Sequence, residues 1–115
     1  MPSTTRYRRG DIVLVSFPFT DLSSSKRRPA LVVSPDSFNQ TMQDLVLAAV
    51  TTQGTADGTF TIDQEDCIDG TLPKISVVKP AKLFTMHSTL VFKKICALRP
   101  EKLEAVLAGI RQFFS

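Results

Sequence analysis

A chain of 115 residues, 43% of them hydrophobic, is the size of one domain and can bury a core without disulfide support. Its apolar runs, such as residues 45–50, are too short to span a bilayer, and the polar, basic residues 1–10 lack the apolar segment of a secretory signal, so a soluble cytoplasmic protein is expected. The net charge of +3 permits a polyanionic partner without demanding one, and Cys67 and Cys96, in no paired or metal-like spacing, read as reduced buried thiols rather than as a disulfide.

The elements follow in chain order. A single domain covering 1–115 is expected, with residues 1–7 as a loose basic tail. Residues 11–19 (DIVLVSFPF) alternate two largely apolar sets, which predicts a strand covered on both sides. Residues 20–26 (TDLSSSK) form a polar, serine-rich loop. Residues 29–35 (PALVVSP) give a second strand, with its limits set by prolines that cannot donate to a ladder. Residues 37–44 suggest a short helical turn, and 45–52 (LVLAAVTT) are apolar enough to be a central strand. Asp57-Gly58 is a hairpin signal leading into a strand at 59–62.

Residues 65–73 read as an acidic loop. Strands at 75–78 and 81–86 follow around Pro80, which forces a bulge or bend, and 90–96 offer one more. Residues 100–114 predict a helix, with Pro100 in the first turn and Glu101 and Glu104 near its positive end. Leu103, Val106, Leu107, Ile110, Phe113 and Phe114 give that helix one apolar face. Short strands closed by one helix make the fold class mainly β, a compact and partly open barrel.

No dinucleotide or Walker phosphate loop, HExxH or CxxC motif occurs, and one histidine, His87, cannot supply a two-histidine acid/base pair. Asp63, Glu65, Asp66 and Asp69 do not match a calcium loop and are expected as a solvated acidic segment, so no metal or other cofactor is assigned. What remains is basic. Lys26, Arg27 and Arg28 stand immediately before Pro29, Lys79 and Lys82 flank Pro80, and Lys93 and Lys94 lie beyond. A proline restricts the residue before it to extended backbone, so Arg28 presents an anchored planar fork suited to phosphate. Thr51 and Thr52 close the most apolar strand. Their hydroxyls are either routine strand chemistry or donors to a phosphate oxygen.

Three segments, RRGDIVLVSFPFTD (8–21), KRRPALVVSP (26–35) and LAAVTTQ (47–53), occur in an order and spacing that resemble the MazF/PemK-type toxins. Residues 76–106 resemble the C-terminal half of the same family. The resemblance implies an SH3-like barrel, a homodimer, and a sequence-selective endoribonuclease that cuts single-stranded RNA to 2′,3′-cyclic phosphate and 5′-hydroxyl ends. It also implies a small antitoxin partner, with DNA bound by the toxin–antitoxin complex. The active-site positions implied are Arg28 and Thr51, with Lys26, Arg27, Thr52, Lys79 and Lys82 along the RNA. The basic elements of two subunits would then line one groove, for which an acidic antitoxin segment competes.

Residue chemistry agrees with this expectation. The 2′-hydroxyl of RNA is its own nucleophile, so neither a protein nucleophile nor a metal is needed, and a fixed arginine with a hydroxyl can stabilise the phosphorane charge. Arg28 stays protonated and is a poor general base, which leaves the base unidentified. The chain departs from relatives that carry a histidine in the first loop, or an arginine and a carboxylate in the later bend. Here Lys79 stands near the arginine position and Ala81 near the carboxylate. His87 is either a replacement acid/base or the cap of a surface turn. Two other functions fit the same fold: a non-catalytic inhibitor that binds a protein such as gyrase, and an inactive RNA-binding module.

Overall fold

The computed structural model describes residues 7–17, 26–52 and 58–115. The first loop and residue 57 of the hairpin signal lie outside the described residues, as does most of the basic tail. Seven strands form one sheet in the order β4-β6-β3-β2-β1-β7-β5. In chain order these are β1 (Asp11–Phe17), β2 (Lys26–Val32), helix α1 (Asp36–Met42), β3 (Asp44–Thr51), β4 (Phe60–Ile62), β5 (Cys67–Ile68), β6 (Ser76–His87), β7 (Val91–Leu98) and helix α2 (Pro100–Phe113). The architecture is mainly β, a nearly closed barrel with a C-terminal helix.

Both faces of the central strands are buried, which explains why β1 and β3 read as near-continuous apolar runs. One face collects Ile12, Leu31, Ala48, Val50 and Val78 beneath Val106 and Leu107 of α2. The other collects Val13, Val15, Ala30, Val32, Leu45 and Leu47, with Phe84, Met86 and Val91 packed at its margin. Burying one such Leu or Val side chain contributes about 1.5–3 kcal/mol. The helix approaches the sheet closely at Gly109, where an added Cβ would lie 2.6 Å from the Phe60 ring.

Several boundaries differ from the sequence expectation. Strand β2 begins at Lys26 and carries Pro29 inside it, opposite Leu14 of β1. This is tolerated because β2 pairs with β3 only from Ala30 onward, so the β3 side of Pro29 has no ladder bond to lose. The two strands expected around Pro80 are one strand, β6. Its register against β3 jumps from Lys79↔Ala49 to Leu83↔Ala48, which leaves Pro80, Ala81 and Lys82 in a bulge. Phe113 and Phe114 do not belong to the buried face of α2. They are 58% and 69% exposed, and their rings meet each other edge to face at 5.1 Å.

The acidic segment is scaffolding rather than a free loop. Asp63 and Asp66 form a reciprocal capping box on a short 3₁₀ turn at Gln64–Asp66, and Cys67–Ile68 then adds the edge strand β5. The start of α2 docks on this turn. The Arg99 amide donates to Asp66 O at 2.8 Å, its Nε donates to Glu65 O at 2.7 Å, and Lys102 lies 3.8 Å from the Asp66 carboxylate. Cys67 and Cys96 are buried free thiols, and burial pushes the Cys96 thiol up to about 12.

Lys94 bridges Asp69 at 2.7 Å and the buried Asp11 at 3.4 Å, tying the chain entering β1 to β7. The Lys94 hydrogen bond holds the exposed Asp69 carboxyl below its usual range, and the same bond raises the Lys94 ammonium. A depressed carboxyl contributes stability above its unfolded value of about 3.9 and loses it as pH falls through the folded pKa. A raised lysine contributes below about 10.4 and loses that as pH rises further. Urea midpoints of the wild type and Asp69→Asn should therefore differ slightly at pH 7 and converge as the pH falls through the lowered Asp69 pKa. A gap that stays constant from pH 7 to pH 2 would show that this ion pair is not the source.

Candidate active site

β2, β3 and β6 together wall an open cleft of about 400 Å³, lined by Arg28, Pro29, Ala49, Val50, Thr51, Lys79, Ala81, Lys82, Leu83 and Phe84. Residues far apart in sequence meet there because of register. Ala30↔Ala49 is the outermost β2–β3 pair, and Arg28 and Thr51 lie two residues beyond it on the two strands, where both line the cleft. Arg28 also faces Val15 of β1, which puts it on the sheet face of the Val13 and Leu47 cluster.

β6 supplies the other two cations through its bulge. Lys79 and Lys82 are three residues apart and in a regular strand would point to opposite faces. The bulge reverses that alternation and lets both line the cleft, while Pro80 between them is buried. The cleft thus carries three cationic side chains and one hydroxyl. The other lining residues are apolar.

The structure separates the other candidates from this group. Arg27 alternates with Arg28, faces Ser16, and stacks its guanidinium 3.6 Å from the centroid of Phe92. Thr52 is exposed just beyond β3 and does not line the cleft. Lys26 begins β2, but its side chain lies outside the described residues.

His87 pairs with Asp44, at the opposite end of β3 from Thr51, about 23 Å away at 3.3 Å per residue. Its Nδ1 accepts from the Thr89 amide at 3.2 Å, so it caps the 3₁₀ turn at Ser88–Leu90. Lys94 is committed to its two aspartates, and the acidic residues to turn capping and helix docking. Among the described residues, no group of three or more His, Cys, Asp or Glu converges as metal ligands would. Nor is any described helix long and apolar enough to cross a membrane.

Sequence reasoning missed Pro29, Leu83 and Phe84 as cleft walls. Only the β2 proline had a legible signal, since it immediately follows Arg28. The side that Leu83 and Phe84 take depends on the size of the bulge.

Comparison with proteins of curated function returned no significant sequence match. The fold has many structural relatives. A mycobacterial endoribonuclease solved with its cognate antitoxin superposes with TM-score 0.75 at 15% identity, over 94% of this chain and 92% of that one. MazF from Deinococcus radiodurans gives 0.70 at 18% identity, with 98% of each chain covered. The Mycobacterium tuberculosis toxin MazF-mt6 gives 0.71 at 21% identity, over 90% of this chain and 95% of that one. Identities this low carry the fold, whereas a family model carries membership, and one matches residues 8–114. The chain therefore belongs to the PemK-like, MazF-like toxins of type II toxin–antitoxin systems.

Proposed function

We propose that this chain is a metal-independent endoribonuclease toxin that cuts single-stranded RNA by attack of the 2′-hydroxyl on the adjacent phosphorus. The observation that carries this is the convergence of Arg28, Thr51, Lys79 and Lys82 from three strands on one cleft. Attack forms a bond from O2′ to phosphorus and breaks the bond from phosphorus to O5′. The attacking 2′-hydroxyl gives up its proton to solvent, the leaving O5′ takes one, and the products are a 2′,3′-cyclic phosphate and a 5′-hydroxyl. The intermediate charge sits on phosphorane oxygens, where a preorganised guanidinium fork and a hydroxyl are most effective. Arg28 is assigned that stabilisation, and Thr51 the orientation of the phosphate. Lys79 and Lys82 hold the flanking backbone as point charges.

Family membership and the relative solved with its antitoxin support an antitoxin partner for this chain. The three cleft cations make an acidic antitoxin segment the occupant that would compete with RNA. The family resemblance implies a homodimer, although Arg28, Lys79 and Lys82 already meet within one chain. The test is a long single-stranded RNA incubated with the protein in EDTA. Cleavage should proceed unchanged, and single-stranded DNA should be bound but uncut. Activity abolished by chelation and restored by Mg²⁺, or cutting of DNA, would overturn the mechanism.

A further inference from the structure

We infer that Phe84 is a nucleobase-stacking platform, so that the cleft grips RNA by one flanking base as well as by its phosphates. This rests on the ribonuclease reading and specifies how that site holds its substrate. The cleft volume of about 400 Å³ falls within the range of about 300–1,000 Å³ typical of sites that enclose a small molecule. Its cations, Arg28, Lys79 and Lys82, account for the backbone phosphates. Pro29, Leu83 and Phe84 leave an apolar wall that no phosphate would use.

Phe84 is the aromatic residue among those lining the cleft. It pairs with Leu47 of β3, packs against the Val13 and Leu45 cluster, and is half-buried where it lines the cleft. Leu47 is four residues from Thr51, about 13 Å along β3, so a base on Phe84 belongs to a nucleotide beside the scissile phosphate. Every base has a π-face, and the wall offers no side-chain donor or acceptor to a base edge. Phe84 should therefore sense the presence of a base far more than its identity.

The probes are fluorescein-labelled 2′-O-methyl oligonucleotides of equal length and charge, all-uridine, all-adenosine or abasic, with binding read by anisotropy at fixed salt. Stacking on aromatic side chains typically changes affinity by about 5- to 150-fold per base. The wild type should bind both base-bearing strands at least about tenfold more tightly than the abasic strand. Phe84→Leu should reduce that preference to within about twofold while abasic binding stays the same, and Phe84→Tyr should keep it. Circular dichroism on each variant checks the fold. A wild type indifferent to the bases, or a folded Phe84→Leu that keeps the full preference, overturns the platform. If the wild type still cleaves RNA in that case, the ribonuclease reading survives it. A wild type that binds and cleaves no RNA overturns both.

Discussion

Arg28→Ala should slow RNA cleavage by about 100- to 1,000-fold, the usual loss when one preorganised donor to a developing oxyanion is removed. The loss should fall mainly on kcat, because the charge that Arg28 meets is greatest in the transition state. Arg28→Lys should recover only part of it, since an ammonium keeps the charge but not the planar fork. Lys93→Ala is the control. Lys93 is exposed on β7 and does not line the cleft, so its removal should weaken binding modestly and reduce the salt dependence. Single-turnover rates at saturating RNA separate the two. Equal losses from both substitutions would reduce Arg28 to part of a general basic surface.

The second large effect concerns stability. Gly70 follows β5 with φ +141°, and a Cβ there would run into Ile95 O and lie 2.8 Å from Cys96 Cα. Both atoms are β7 backbone, so the overlap can be relieved only by separating β5 from β7, where Cys67 pairs with Leu98. Gly70→Ala should therefore cost about 3–5 kcal/mol, in the range reserved for gross strain or overpacking. Its melting temperature should fall by at least about 10 °C. Gly58→Ala is the matched comparison, with φ +83° but nothing within 4 Å of the added methyl. It should cost only the left-handed strain, about 1–2 kcal/mol. Similar small losses at both sites would mean that β7 yields freely at Ile95.

Much of this fold was legible because burial on both faces leaves an unmistakable mark. The runs that became β1 and β3 are apolar at nearly every position, and α2 shows its periodicity from Leu103 to Ile110. Pro29 was misleading, since the rule that proline limits a strand holds only where its N–H would be needed. The acidic segment gave no sign that it docks α2, because its partners there, the Arg99 backbone and Lys102, lie more than thirty residues away.

The same limits shaped the site. Arg28 and Thr51 are legible as chemistry, but Arg27 and Arg28 look equivalent until alternation sends one to Phe92 and the other to the cleft. Lys79 and Lys82 face the same way only because three residues bulge from β6, and that bulge also decides that Phe84 lines the cleft. A bulge changes every later side-chain direction at once, and its size depends on a partner strand that sequence spacing does not reveal.

The most direct test of the 2′-hydroxyl mechanism is the chemistry of the cut ends. RNA cleaved in EDTA should yield fragments whose 5′ ends accept phosphate from polynucleotide kinase without prior phosphatase treatment. Their upstream partners should carry the mass of a 2′,3′-cyclic phosphate, and a single 2′-O-methyl at a mapped cut site should abolish that cut alone. Fragments with 5′-phosphate and 3′-hydroxyl ends, or cutting that persists at the methylated position, would contradict it.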